Sequence, residues 1–177
     1  MRAKDMDYIK LIESKDMRPN RQSFWIQLLG ETYKHFKRNN ISLVFETIES
    51  RGRYAKALSG IPGVKWTYAI NSRENTAWVE LEILGRGFKD KYDTIERNRE
   101  EIDTFFTKMT GERLDWDKEN HYYGTKRNVC RITSDSNYPF NDYEGNLQAI
   151  TDDLVRRMIA LIKVLNTTLN ELRNYNS

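Results

Sequence analysis

The sequence predicts an α+β fold in which an antiparallel sheet of about four strands packs against helices. Three observations indicate this class: a central hairpin over residues 64–84, apolar residues at helical spacing on both sides of it, and a long C-terminal helix. Strands that are joined by a hairpin need no crossover helices, so the helices are free to cover one face of the sheet. This arrangement is typical of α+β sandwiches.

The hairpin consists of two runs of alternating residues on either side of the turn-forming segment 71–76. If the strands fold about the middle of that segment, Trp66 lies opposite Leu81 on an apolar face. The same register places Lys65 opposite Glu82 on the other face. A shift of one residue would pair apolar with polar positions, so the pattern itself selects the register. We therefore predict one core face and one mostly polar, solvated face.

The N-terminal half of the chain predicts an arm, a helix and a strand. Residues 1–17 are charged and carry few apolar side chains, so we expect a loose or partner-docked arm, followed by a single α+β domain over residues 18–177. Aromatic residues and leucines recur at three- and four-residue steps from about residue 21 to 38, which predicts an amphipathic helix. Residues 41–48 are rich in β-branched and apolar side chains and predict a strand.

The segments on either side of the hairpin are predicted from their glycine, proline and helix-capping residues. Three glycines and one proline in residues 49–63 indicate a long mobile loop, with at most a helical turn at 54–58. A second helix is expected over residues 91–110. Asp90 would cap its start, and Gly111 would close its end.

The C-terminal third predicts a fourth strand and a long helix. Residues 128–134 form the strand, with Cys130 on its apolar face. Residues 147–173 contain no glycine or proline and carry leucines at heptad-like spacing. At about 1.5 Å per residue this helix would be roughly 40 Å long. Two arrangements stay open: the helix lies across the sheet of its own chain, or its far end packs on another chain as a dimer seam.

The amino-acid composition limits the classes of protein to which this chain can belong. The chain has 177 residues, 38% of them hydrophobic, and a formal net charge of +3. That charge permits a local basic patch but not the strong excess of a protein that coats nucleic acid. One cysteine excludes an internal disulfide and favours a reducing cytoplasm. No apolar run approaches the roughly 20 residues that span a bilayer.

Several short motifs carry a family resemblance. They include Phe24-Trp25 in the first helix, Trp66-x-Tyr68 in the hairpin, and the segment Gly111–Trp116. With these motifs the chain, over roughly residues 21–172, resembles an uncharacterised bacterial and archaeal domain family usually found C-terminal to a restriction-endonuclease-like nuclease domain. The resemblance implies partnership with DNA-processing or defence proteins. It carries over no catalytic residue.

Basic residues suggest a nucleic-acid-binding surface. A glycine-containing segment that bears cations and an aromatic ring can follow a phosphate backbone and stack a base. The candidates are Arg51, Arg53, Tyr54 and Lys56, joined by a second cluster at Lys126, Arg127 and Arg131 and a third at Arg156 and Arg157. The alternative is that these are scattered cations balanced by the 26 acidic residues. Trp78 lies on the polar face, where it is either a stacking platform or an interface anchor, or is simply covered by a helix or loop.

Three carboxylates raise a catalytic alternative. Glu80 and Glu82 lie two residues apart on one strand and therefore project from one face, with Glu46 on the preceding strand. Such a group could share a Mg²⁺ that activates water in a divergent nuclease. The simpler interpretation places the acids in solvent beside Lys65 and Thr67. No zinc motif and no phosphate-binding glycine loop is present, and no cofactor is predicted.

Taken together, the sequence predicts a non-catalytic binding module associated with DNA or RNA, or with a restriction or defence-type complex. A nuclease or another defence protein is the expected protein partner, and no membrane partner is expected. Two other functions stay open: the Mg²⁺-dependent nuclease and a dimerisation module built on the C-terminal helix.

Overall fold

A computed structural model of the chain describes residues 3–49, 51–119, 129–140 and 143–175. These residues form five helices and one sheet of six antiparallel strands, in the order β1-β2-β3-β4-β6-β5. The α+β class is confirmed, and the sheet is two strands wider than expected. The elements are α1 (Ala3–Glu13), α2 (Pro19–Arg38), β1 (Phe45–Glu49), β2 (Tyr54–Leu58), β3 (Val64–Asn71), β4 (Thr76–Leu84), α3 (Phe88–Glu96), α4 (Arg99–Thr110), β5 (Asp115–Asp117), β6 (Val129–Asp135) and α5 (Tyr143–Tyr175).

The β3–β4 hairpin has the predicted register along its whole length. Trp66 pairs with Leu81, and Lys65 pairs with Glu82. β6 continues the same alternation on the far side of β4, where Ile132 pairs with Leu81. The core face is thus a continuous apolar surface across the middle of the sheet, as the pattern predicted.

Helix α5 lies against its own chain. Its leucines at 154, 161, 165 and 169 are all fully buried, and the helix contacts α2, α3, α4 and β4. The apolar face of the helix therefore packs on the core of its own chain, which is the first of the two predicted arrangements. No helix among the described residues is both long and apolar enough to cross a bilayer.

The N-terminal segment is part of the packed structure. Residues 3–13 form α1, which contacts α2 and β1, and Ile12 is fully buried. The rings of Tyr8 and Tyr33 lie 5.2 Å apart. The expectation of a loose arm over residues 1–17 is wrong for these residues, because a small apolar set on one helical face is enough to dock a short helix.

The segment predicted as a loop contains a strand. Tyr54–Leu58 forms β2 between β1 and β3, with Ala55 opposite Tyr68 and Ala57 opposite Trp66. The glycines that suggested mobility all lie outside β2, in the turns that flank it. β1 begins at Phe45 rather than at residue 41.

The predicted second helix is two helices. The break falls at Arg97–Asn98, between α3 and α4. Gly87, not Asp90, occupies the N-cap of α3, and no side chain bonds to that cap. Gly111 ends α4 in the left-handed conformation at φ 81°, as predicted.

A buried ion pair within α5 is hydrogen-bonded to the end of β6 and to the segment that follows it. Arg157 is 1% exposed, and its Nε lies 2.9 Å from Asp153 Oδ2, while its Nη1 donates to Ser134 Oγ at 2.7 Å. Asp153 also accepts from the backbone N–H of Asn137 at 3.0 Å. Burial alone would raise the pKa of Asp153, but Arg157, Asn137 and Arg156 together lower it below its ordinary value. The carboxylate is therefore held in its charged form.

We expect Asp153→Asn to lower the free energy of unfolding by about 3 kcal/mol or more, because it leaves the Arg157 guanidinium buried without its counter-charge. Urea unfolding at neutral pH measures the change. Asp152→Asn is the matched control: the same chemical change on the next, exposed residue should stay within about 0.5 kcal/mol of the unsubstituted protein. Equal effects of the two substitutions would contradict a special role for the buried pair.

Candidate functional site

The polar face of the sheet is buried, contrary to the expectation of a solvated surface. Glu80 is 1% exposed, Glu82 6% and Arg131 6%. Their strands are neighbours: Glu82 pairs with Arg131 across β4 and β6. Side chains of opposite charge from β2, β4 and β6 cover one another on this face. The alternating pattern therefore predicted which residues share the face, but it did not predict that they are buried.

Lys56 forms ion pairs with carboxylates on this face. It lies on β2, and its Nζ is 3.0 Å from Glu82 Oε1 and 3.0 Å from Glu49 Oε2. Burial by itself would lower the pKa of Lys56, but the two carboxylates raise it above the ordinary value. The ammonium group is therefore charged and already neutralised, which leaves it poorly placed to meet a phosphate.

Glu80 is only partly compensated. Trp78 Nε1 donates to its Oε2 at 2.8 Å, and Arg131 Nε lies 4.0 Å from the same oxygen. The other oxygen, Oε1, is buried and has no hydrogen-bond partner in the described part of the chain. Burial raises the pKa of Glu80 above its ordinary value, and the opposing effects of Arg131 and Trp78 do not restore it.

A small pocket of about 70 Å³ opens beside Glu80. We call it the acidic pocket; its charged and aromatic lining is Glu74, Trp78, Glu80, Asp117, Arg131 and Asp135. Trp78 is half-buried, and the ring of Tyr54 meets it edge-on at 6.5 Å. Trp78 is therefore partly covered by Tyr54, and it also lines the acidic pocket.

The three carboxylates of the nuclease alternative do not assemble. Glu80 and Glu82 lie side by side on the polar face, but Glu46 is exposed on β1, where the register shifts between Phe45 and Thr47. Within the described ranges, no three histidine, cysteine, aspartate or glutamate side chains come together in a way that could hold a metal ion. The geometry thus offers no Mg²⁺ centre to Glu46, Glu80 and Glu82.

A larger pocket of about 600 Å³ lies at the turn end of the hairpin. We call it the arginine pocket, after Arg18 and Arg21 at the start of α2, Arg51 in the β1–β2 turn and Arg73 in the β3–β4 turn. Asp16 is the one acidic side chain of its lining among the described residues. Cations from three separate segments therefore surround one cavity.

Arg21 connects the two turns that line the arginine pocket by hydrogen bonds. Its Nη1 donates to the backbone oxygen of Arg51 at 3.0 Å, and its Nη2 donates to Ser72 Oγ at 2.8 Å. Burial, followed by the neighbouring cations Arg53 and Arg18, lowers the pKa of Arg21 below its ordinary value. Crowded positive charge of this kind is relieved when an anion binds.

No carboxylate among the described residues neutralises the arginine pocket. No ion pair joins Arg18, Arg21, Arg51 or Arg73 to a carboxylate of the described chain. The N-terminus of α2, which begins with Pro19 and has no side-chain cap, adds the positive end of a 20-residue helix. The arrangement is therefore suited to anions.

The structure divides the predicted nucleic-acid-binding residues among different places. Arg51 lines the arginine pocket, and Arg53 lies close enough to Arg21 to lower its pKa. Tyr54 and Lys56 point to the polar face, because they alternate with the core residues of β2. Lys126 and Arg127 fall outside the described residues.

The remaining predicted cations are occupied elsewhere. Arg131 lines the acidic pocket, and Arg156 and Arg157 both pair with Asp153 on α5. The sequence prediction missed Arg18, Arg21 and Arg73. The available signal was weak: two arginines beside the proline that starts a helix, and a third in the hairpin turn.

Comparisons with family models, with curated proteins and with solved structures gave no match to this chain. The resemblance to a nuclease-associated domain family therefore stays a prediction from the quoted motifs. The candidate sites rest on their geometry alone.

We expect Glu80→Gln to become more stabilising, relative to the unsubstituted protein, as the pH rises. Because the pKa of Glu80 is higher in the folded chain than its ordinary 4.5, the folded state holds this proton longer than the unfolded state. Its stability therefore falls as the pH rises above the unfolded value, by up to about 1.4 kcal/mol per pH unit, until the folded pKa is passed. Glutamine has no proton to lose. Urea unfolding of both proteins from acid to neutral pH measures the difference.

The control for this series is Glu46→Gln, which makes the same change at an exposed position on β1. It is unfolded over the same pH series for comparison. A stability difference for Glu80→Gln that does not change with pH would show that burial does not raise the pKa of Glu80 in the folded state.

Proposed function

We propose that this protein is a non-catalytic module that binds nucleic acid by its phosphate backbone through the arginine pocket. One observation carries the proposal: four arginines from three chain segments line a cavity of about 600 Å³, and no carboxylate of the described residues pairs with them. Mutual repulsion among crowded cations raises the free energy of the protein without a ligand, so such a cluster favours an anionic ligand.

The chemistry of the pocket matches a phosphodiester. Guanidinium groups present several N–H donors in one plane and bind phosphate oxygens in pairs. Arg51 and Arg73 are exposed at the ends of two turns, where they can meet successive phosphates, while the half-buried Arg21 sits between them. The N-terminus of α2 favours the same charge.

Base stacking is not part of this proposal. Tyr54 and Trp78, the predicted stacking residues, contact each other on the polar face and do not line the arginine pocket. Contacts to phosphate position a protein on nucleic acid without reading its sequence. We therefore propose binding with little base preference.

A protein partner remains part of the proposal. The resemblance to a domain family that accompanies nuclease domains supports a nuclease or another defence protein in that role. In such a complex the module would hold nucleic acid near the active site of its partner, and its own residues would perform no chemical step.

We expect the double substitution Arg51→Gln with Arg73→Gln to weaken binding to labelled DNA and RNA oligonucleotides and to reduce its salt dependence. If each arginine contacts one phosphate, the slope of log K against log salt should become shallower by roughly 1.4 on a single strand and 1.8 on a duplex. Fluorescence anisotropy titrations at several salt concentrations measure both quantities. Both side chains are exposed, so the fold should persist.

The matched control is Arg86→Gln with Arg97→Gln, which removes the same charge from exposed positions next to α3. It should leave the slope close to that of the unsubstituted protein. Absence of binding at low salt would refute the proposal. Equal losses of affinity in both double variants would show that binding depends on the net charge of the protein and not on the arginine pocket.

A further inference from the structure

Glu80, which lines the acidic pocket, carries a buried acceptor atom that no described residue uses. Glu80 Oε2 receives the indole N–H of Trp78, which fixes the orientation of the carboxyl group. Oε1 is then the oxygen left over, and it is buried with no hydrogen-bond partner among the described residues. A buried polar atom without a partner costs free energy in the empty protein, so its retention points to a ligand that completes it.

The charge of the pocket indicates the sign of that ligand. Four carboxyl groups, those of Glu74, Glu80, Asp117 and Asp135, and a single guanidinium, that of Arg131, are found among the described lining residues. The imbalance is local, since the chain as a whole carries a net charge of +3. Burial raises the pKa of Glu80 and of Asp135, so the full negative charge develops as the pH rises. Once these groups are ionised, a cation is attracted to this pocket and an anion is repelled from it.

The geometry argues for an organic cation and against a metal ion. A divalent metal ion needs several oxygen ligands around one point, and the described residues contain no group of three acidic, histidine or cysteine side chains that could supply them. An N–H-bearing cation needs fewer contacts, because a single charge-assisted hydrogen bond and an aromatic face already bind it. The aromatic side chain of Trp78 is part of the wall of this pocket.

We propose that the acidic pocket binds the head group of a small organic cation, a primary ammonium or a guanidinium, with Glu80 Oε1 as the acceptor of its N–H and the Trp78 indole as its aromatic wall. The volume of about 70 Å³ admits the head group only. A quaternary ammonium ion, which has no N–H to donate, leaves Oε1 without its partner and is rejected. This site is separate from the arginine pocket and does not depend on the function proposed for it.

Binding is linked to the ionisation of Glu80. Burial raises the pKa of this residue in the empty protein, and a bound cation favours the charged carboxylate. Association therefore releases a proton over the pH range in which the empty protein still holds it. Affinity for the cation increases with pH across that range and then becomes constant.

The test follows the indole ¹H–¹⁵N signals of the protein during titration with methylguanidinium and with methylammonium. Methylurea, a neutral analogue of similar shape, and tetramethylammonium serve as negative probes. We expect the signal of Trp78, assigned through Trp78→Phe, to shift with the two N–H-bearing cations and not with the negative probes. Glu80→Gln should weaken binding by at least about tenfold, since a charge-assisted hydrogen bond is lost. Glu46→Gln should leave it unchanged.

Two further titrations distinguish a free cation from a side chain of a protein partner. Capped arginine and lysine amides carry the same head groups on a peptide unit. Binding of both the small cations and the capped residues supports a pocket that accepts a partner's side chain, and binding of the small cations alone supports a free metabolite-sized ligand. No shift with any N–H-bearing cation, equal binding of methylurea, or unchanged affinity in Glu80→Gln overturns the proposal.

Discussion

The β3–β4 hairpin decides which side of the sheet each side chain occupies, because a shift of one residue would exchange its two faces. With the observed register, Trp66 and Leu81 face the helices, and Glu80 and Glu82 face away from them. β2 and β6 continue this parity on either side. The apolar face then accounts for the burial of α5, and the polar face gathers charges from several strands. Both candidate sites follow from this one pairing.

Opposite charges are separated in space although the chain is nearly balanced overall. The arginine pocket draws its cations from the start of α2 and from two turns, and the acidic pocket draws its carboxylates from β4, β5, β6 and the hairpin turn. Lys56 is shared by Glu49 and Glu82 and lines neither pocket. A net charge of +3 therefore conceals two local fields of opposite sign, each able to attract a different ligand.

Local patterns predicted those features that depend on neighbours in sequence. The hairpin register, the strand at β6 and the long apolar stripe of α5 all follow from periodicity, since each buries its apolar side regardless of partner. β2 was missed because its alanines carry little strand preference and its flanking glycines suggested a loop. The burial of Glu80 and the convergence of Arg18, Arg51 and Arg73 arise from residues far apart in the chain, and no local pattern encodes such contacts.

The two pockets meet at one peptide bond. Arg73 lines the arginine pocket, and Glu74, the next residue, lines the acidic pocket. Asn75 completes this turn in the left-handed conformation, at φ 57°. Adjacent residues of one turn therefore belong to binding sites of opposite charge. A coupling between an anion in one pocket and a cation in the other would have to be reciprocal, each changing the affinity for the other by the same factor.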